Sequence, residues 1–271
     1  MRFDSNQAWQ RAIALVSGNR DVLWALAGVF LVLPSFAVGI LAPPPEPAAG
    51  ADGDALMGMM TAYYNSAWPW LLGMAVCQVI GTLAMLALYT DRTRPTVAEA
   101  LKLALRGALP VIAAQLLAGA AFAVLAIIPL TLAALTGSSL LGGMVMAACL
   151  VALIYVMVRI SLVAPVVMVD GERNPVAALK RSWQLTRGNA GRLLLFYALL
   201  LIGFGIVILL VGGLADLLLR LALGMELGAA LGTLVSAALQ AVMAIFFMAV
   251  YAATHFQLAR PAPAAPVTPI E

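Results

Sequence analysis

Between residues 107 and 158 the chain carries no Asp, Glu, Lys or Arg, and residues 55–90 are equally bare. Uncharged apolar stretches of this length offer water no polar face, whereas helices crossing a hydrocarbon core of about 30 Å require them. The rest of the composition agrees: 64% of the 271 residues are hydrophobic and only 10% are charged, well outside the usual make-up of a soluble domain. The expected fold is therefore all-α, a polytopic transmembrane helical bundle.

Breaking the apolar stretches at Pro, Gly and polar residues gives six spans, near 22–42, 68–90, 109–134, 140–164, 193–215 and 229–254. Each is long enough to cross the membrane at about 1.5 Å per residue. The third and fourth are joined by Thr136-Gly137-Ser138-Ser139, a tight hairpin. Residues 1–260 form a single membrane domain, and 261–271, rich in Pro and Ala, are expected to be a disordered tail. Residues 43–67, which open on Pro-Pro-Pro-Glu-Pro, are expected to be a mobile outer loop ending at Trp68 and Trp70 as interfacial anchors. Roughly twenty polar or amphipathic residues precede the first span, which is too long for a signal-peptide core, so cleavage is not expected. Cys77 and Cys149 fall inside apolar stretches and read as packing residues rather than a disulfide.

On this layout all of the 15 Lys and Arg residues except Arg220 lie on one side, and Glu46, Asp52, Asp54, Asp216 and Glu226 lie opposite. The positive-inside bias then puts both termini in the cytoplasm. It also makes the net charge of +3 a topology signal and leaves no footprint for nucleic acid.

The cytoplasmic segments carry helix signals of their own. Asn174-Pro175 and Gly188 bracket an amphipathic helix, with Asn174 as N-cap, Pro175 in the first turn and Gly188 past the end. Val176, Leu179 and Trp183 share one face, and Lys180, Arg181, Gln184 and Arg187 fill the other, so the helix is expected to lie in the headgroup region with Trp183 as anchor. Thr96 and Glu99 stand in capping-box spacing before Lys102, Arg106 and Gly107. A third copy runs from Asp4 through Trp9 and Arg11 to Gly18-Asn19. Three elbow helices, each closed by glycine and followed by two spans, suggest a threefold elbow-hairpin repeat.

The stretch from Arg159 through Pro165, Asp170-Gly171 and Ala178-Leu179-Lys180-Arg181-Ser182-Trp183 to Gly188-Asn189 resembles the glycerophosphoryl diester phosphodiesterase membrane domain family and related uncharacterised bacterial inner-membrane proteins. The resemblance covers about forty residues and implies a multi-pass bacterial inner-membrane protein without the catalytic domain. Phosphodiester hydrolysis of that kind needs a His pair and several carboxylates around a metal. This chain has one histidine, His255, so no active-site residue carries over.

No other catalytic constellation emerges: HExxH, a usable GxSxG triad and a P-loop are all missing, His255 lacks partners for a metal, and no cofactor is expected. Gly142-Gly143 and Gly212-Gly213 read as close helix packing. Arg159 is expected to snorkel or to pair with Asp170 or Glu172. Pro34 and Pro129 are placed to kink the first and third spans. Two sets of residues remain as candidates. Lys102, Arg106, Lys180, Arg181, Arg187 and Arg192 would form a basic rim for anionic lipid or a partner membrane protein. Gln78, Gln115 and Gln240 would form a polar cluster inside the bundle. The expected function is that of a non-enzymatic membrane protein acting through lipid or partner contacts. The alternative is a transporter or channel for a lipid-like or apolar solute, which would have a cavity reached between hairpins and lined by the three Gln residues.

Overall fold

Six helices long and apolar enough to cross a membrane run in chain order as spans 1 to 6: Arg20–Leu41, Gly53–Tyr89, Val97–Leu135, Ser139–Asp170, Ala190–Leu223 and Met225–Leu258. These bounds come from a computed structural model that describes residues 2–48, 50, 52–90 and 96–259. Among the described residues there is no strand, and the protein is an all-helical, multi-pass membrane protein. Arg92, Arg94, Arg260 and the tail 261–271 lie outside the described residues.

Two shorter helices, Ser5–Gly18 and Pro175–Leu185, are the first and third elbows. Their starts follow from local capping. The Asp4 carboxylate accepts from the backbone N–H groups of Asn6 at 2.9 Å and Gln7 at 3.1 Å. Asn174 does the same for Val176 at 2.9 Å and Ala177 at 3.3 Å, so orphan donors of each first turn are met. Both elbows dock at one end of the bundle. Gln257, in the last turn of span 6, donates to Gln7 at 2.8 Å, and the Arg11 guanidinium lies 4.6 Å over the Phe256 ring.

The second elbow is not a separate helix. The capping box forms, with Glu99 N–H to Thr96 Oγ1 at 3.3 Å and Thr96 N–H to Glu99 Oε2 at 2.8 Å, but the helix then runs unbroken through Gly107 to Leu135. Gly188 takes the left-handed conformation, φ +78°, that stops a helix. Gly107 stays helical instead, and its missing side chain admits Met168, whose sulfur would stand 2.6 Å from an added Cβ. The threefold elbow pattern is therefore broken at its second copy.

Span boundaries shift outward as well. Span 2 begins at Gly53, not near Trp68, so most of the expected outer loop is helix. Span 5 reaches Leu223 because Asp216 and Arg220, one turn apart, pair at 2.8 Å within the helix. Gly224, at φ +84°, alone makes the turn into span 6. In span 1 the turn Gly28–Val32 widens to a π-turn just before Pro34, and Leu33 N–H reaches back to Gly28 O. The missing Pro34 donor is absorbed there without a break. Pro129 sits in continuous helix in span 3.

Burial concentrates in spans 2 and 6, where residues 83–89 and Ala249, Val250, Ala252 and Ala253 are buried. The Tyr89 hydroxyl donates to the Ile245 carbonyl at 3.2 Å and ties the two together. Close approach is carried by other glycines than the paired ones expected. A Cβ at Gly228 would strike the Arg220 backbone, one at Gly232 the Asp216 carboxylate, one at Gly39 Thr233 and one at Gly81 Phe30. Gly142, Gly143 and Gly213 have open space around them, and Gly212 is in ordinary contact. Gly228→Leu is accordingly expected to cost about 1–3 kcal/mol by overpacking, read as a lower unfolding midpoint in detergent. Gly119→Ala, where an added Cβ meets nothing within 4 Å, should leave the midpoint unchanged or slightly raised.

Candidate functional site

The buried core takes in Ala104 and Val111 of span 3, Val166 of span 4 and Leu193 of span 5, but spans 3, 4 and 5 do not close fully on spans 2 and 6. Between them lies a cavity of about 680 Å³, within the roughly 300–1,000 Å³ of small-ligand sites. Span 2 contributes Val79, Thr82 and Leu83, span 3 contributes Val111, Ala114 and Gln115, and span 6 contributes Phe247, Met248 and Tyr251. Ile154, Met157 and Ser161 of span 4 face Leu194, Tyr197, Ala198, Leu201 and Ile202 of span 5. The wall is almost wholly apolar, and every lining residue lies in the half of the bundle nearer the elbows.

Exposure shows where this cavity opens. Its lining on spans 2 and 6 is buried or half-buried, with Leu83 at 1% and Phe247 at 8% exposed, whereas Met157 is 59% and Ile202 59% exposed. The mouth is thus between spans 4 and 5, onto the surface that lipid covers. Polar atoms are few and mostly satisfied within their own helices. Thr82 Oγ1 donates to the Gln78 carbonyl at 2.7 Å and Ser161 Oγ to the Val158 carbonyl at 2.8 Å. Tyr197 is the buried exception: its hydroxyl lies beside Ser161 and Thr254 but completes no well-formed hydrogen bond. Its ring meets that of Tyr251 edge-on at 5.3 Å.

The third elbow covers the cavity's inner end with Leu179. It is held there by four contacts. Ser182 Oγ donates to the Arg159 carbonyl at 2.8 Å, and Thr186 Oγ1 lies 3.4 Å from the same oxygen, which serves an end of the helix where carbonyls lack partners. The Arg159 guanidinium, with the residue 4% exposed, lies 4.3 Å over Trp183 and 5.8 Å from Tyr155. Asp170 stands between Arg181, 3.5 Å away, and His255 Nε2, 3.2 Å away. Arg159 therefore rests on aromatic faces and not on Asp170 or Glu172. Trp183 packs on Arg159, and the elbow face turned to the bundle carries Ala178 and Ser182, small enough to dock closely.

The candidate residues from the sequence are redistributed. Gln115 lines the cavity; Gln78 donates instead to Ser35 Oγ at 3.3 Å; Gln240 points outward, exposed. The three are not joined in one cluster, because depth in a span says nothing of the direction around its axis. Of the basic rim, Arg181 is engaged by Asp170, whereas Lys102, Arg106, Lys180, Arg187 and Arg192 are exposed. Arg173 holds the elbow's approach through the Arg106 carbonyl at 2.8 Å. Among the described residues no three His, Cys, Asp or Glu side chains gather to hold a metal ion. Tyr197, Tyr251 and Ser161 are cavity residues that sequence reading missed, since nothing local distinguishes them from other interfacial aromatics and hydroxyls.

Removing both hydroxyl donors in Ser182→Ala/Thr186→Val is expected to strip the Arg159 carbonyl of its cover at a cost of about 1–3 kcal/mol. Amide hydrogen exchange across Pro175–Leu185 should then accelerate roughly 5–150-fold, while exchange in span 2 stays as in the unsubstituted protein.

No curated protein and no solved structure matches this chain. Residues 7–258 match a family described as a domain of unknown function, DUF7847, a match that takes in all six spans, the third elbow and all but the first two residues of the first elbow. The chain belongs to that family.

Proposed function

We propose that the protein is a non-catalytic membrane protein that holds a lipid-like molecule between its spans, presented to or shared with a partner membrane protein. The carrying observation is the cavity of about 680 Å³ between two core spans and three peripheral ones, apolar in its walls and open toward lipid between spans 4 and 5. An apolar chain entering there exchanges lipid for protein contacts, and the Gln115 amide and the Tyr197 and Tyr251 hydroxyls offer its polar end partners that hydrocarbon lacks. The channel alternative is less well supported, since the lining stays in one half of the bundle.

In this reading the elbow end faces the cytoplasm of a bacterial inner membrane. The clustering of Arg2, Arg11, Lys102, Arg106, Lys180, Arg187 and Arg192 there supports the orientation, and the likeness to the glycerophosphoryl diester phosphodiesterase membrane domain supports the compartment. The exposed cations of the rim draw anionic lipid by about 1 kcal/mol each near the surface.

Ala164 and Ala198 line the cavity and are only partly buried, so each can be enlarged without breaking the core seam. Native mass spectrometry of the full chain, extracted gently from its own membrane, should show a discrete apolar adduct. Ala164→Phe/Ala198→Phe should remove most of it, while Lys180→Ala/Arg187→Ala retains it. An adduct undiminished by filling the cavity, or a bare protein before any substitution, would overturn the proposal.

A further inference from the structure

A second groove, of about 470 Å³, lies outside the cavity, where the first elbow meets the start of span 5. Arg2 and Arg192 both line it. Their meeting is fixed by the chain that follows Arg2. Phe3 is 5% exposed; its N–H donates to Asn189 Oδ1 at 2.8 Å and its ring lies 5.6 Å from that of Phe196. The next N–H, of Asp4, donates to Gln257 Oε1 at 3.3 Å. The segment is thus pinned to spans 5 and 6, and Arg2 is held on the groove that Arg192 also lines.

Two guanidinium groups lining one groove repel each other unless an anion lies between them. Neither makes an ion pair among the described residues, all of whose ion pairs involve other cations. Asp4 also lines the groove; its Oδ1 accepts the two cap hydrogen bonds of the first elbow, and none of the ion pairs joins its carboxylate to either arginine, so one carboxylate faces two guanidinium groups and the groove keeps a net positive charge. Below the arginines the groove continues in Leu195 and Leu199. Both are exposed, at 64% and 60%. A free phosphate would use the first part of this surface and leave the second idle.

We propose that Arg2 and Arg192 bind the phosphate of an anionic phospholipid whose acyl chain follows the Leu195–Leu199 face of span 5. Guanidinium forks suit phosphate oxygens bidentately, and the site lies at the depth where a headgroup meets the first turn of a span. General positive-inside bias accounts for cations at this end of the bundle. It does not account for an arginine anchored through a buried neighbour next to a second one. The site is independent of whatever occupies the cavity.

The test is native mass spectrometry of the full chain in neutral detergent, titrated separately with phosphatidylglycerol, phosphatidylcholine of the same chains, and soluble glycerol phosphate. Phosphatidylglycerol should bind in preference to both others. Arg2→Gln/Arg192→Gln should weaken it roughly tenfold or more, as expected for loss of hydrogen bonds to a charged group. Phe3→Ala, which keeps both charges but releases Arg2, should weaken it as well. Lys180→Gln/Arg187→Gln, an equal loss of charge elsewhere on the rim, should weaken it less, and the adduct removed by Ala164→Phe/Ala198→Phe should persist in the arginine variant. Equal binding of phosphatidylcholine or glycerol phosphate, survival of the adduct in the arginine variant, or an equal fall in the lysine-arginine control overturns the proposal.

Discussion

Helices in lipid gain little by burying apolar side chains against one another, since the acyl chains they displace are equally apolar, so the close approach of backbones decides where the bundle is tight. Here that approach is made at Gly228 and Gly232 against the end of span 5, at Gly39 against Thr233 and at Gly81 against Phe30. Those four contacts fasten spans 1, 2 and 6 and the outer turns of span 5. Spans 3 and 4 have no equivalent in their middle and outer portions: Gly119, Gly142 and Gly143 all face open space. The cavity lies further inward, where Gly107 still draws span 3 onto Met168 of span 4 but no such contact joins span 4 to span 5, whose Gly203 and Gly205 face open space.

What closes the cavity's inner end is polar rather than apolar. The third elbow is short, and packing alone would hold it weakly. It is instead referenced to one residue, Arg159, whose carbonyl receives the Ser182 hydroxyl and whose guanidinium receives the Trp183 ring. Using an aromatic face for Arg159 leaves the Asp170 carboxylate for Arg181 and His255, so one acidic group links the π-turn at the end of span 4, the elbow and span 6. Leu179 is positioned over the cavity as a consequence.

The architecture was legible wherever the signal was local and chemical. Charge-free runs gave six spans, Asn174 and the Thr96–Glu99 pair gave helix starts, and the hairpin at Gly137 falls where its polar residues stand. Errors arose where one residue type serves two conformations. Gly188 and Gly107 look alike in sequence, yet one is left-handed and the other helical, because only Gly107 is packed under Met168. Asp216 and Arg220 look like loop charges until they are seen to neutralise each other one turn apart. Of the cavity only Gln115 was foreseen, as one of three Gln residues expected to line it; the rest of the wall is assembled from five spans and an elbow. The convergence of Arg2 and Arg192 on one groove was not legible, since it depends on the bond between Phe3 and Asn189 across the fold.

Span 5 connects the two features on opposite sides of its axis. Leu194, Tyr197, Ala198 and Leu201 turn toward the cavity, while Arg192, Leu195, Phe196 and Leu199 turn toward the groove at the first elbow. The two surfaces ask for different chemistry. The cavity side offers apolar contact with a few uncharged polar atoms, so its occupant is selected by shape and by the partner it brings for a hydroxyl or an amide. The groove side offers unpaired positive charge at the edge of the hydrocarbon, so selection there falls on headgroup charge and weakens as salt screens it. Because successive helix faces carry the two sets of side chains, shape selection and charge selection can be altered separately on one and the same span.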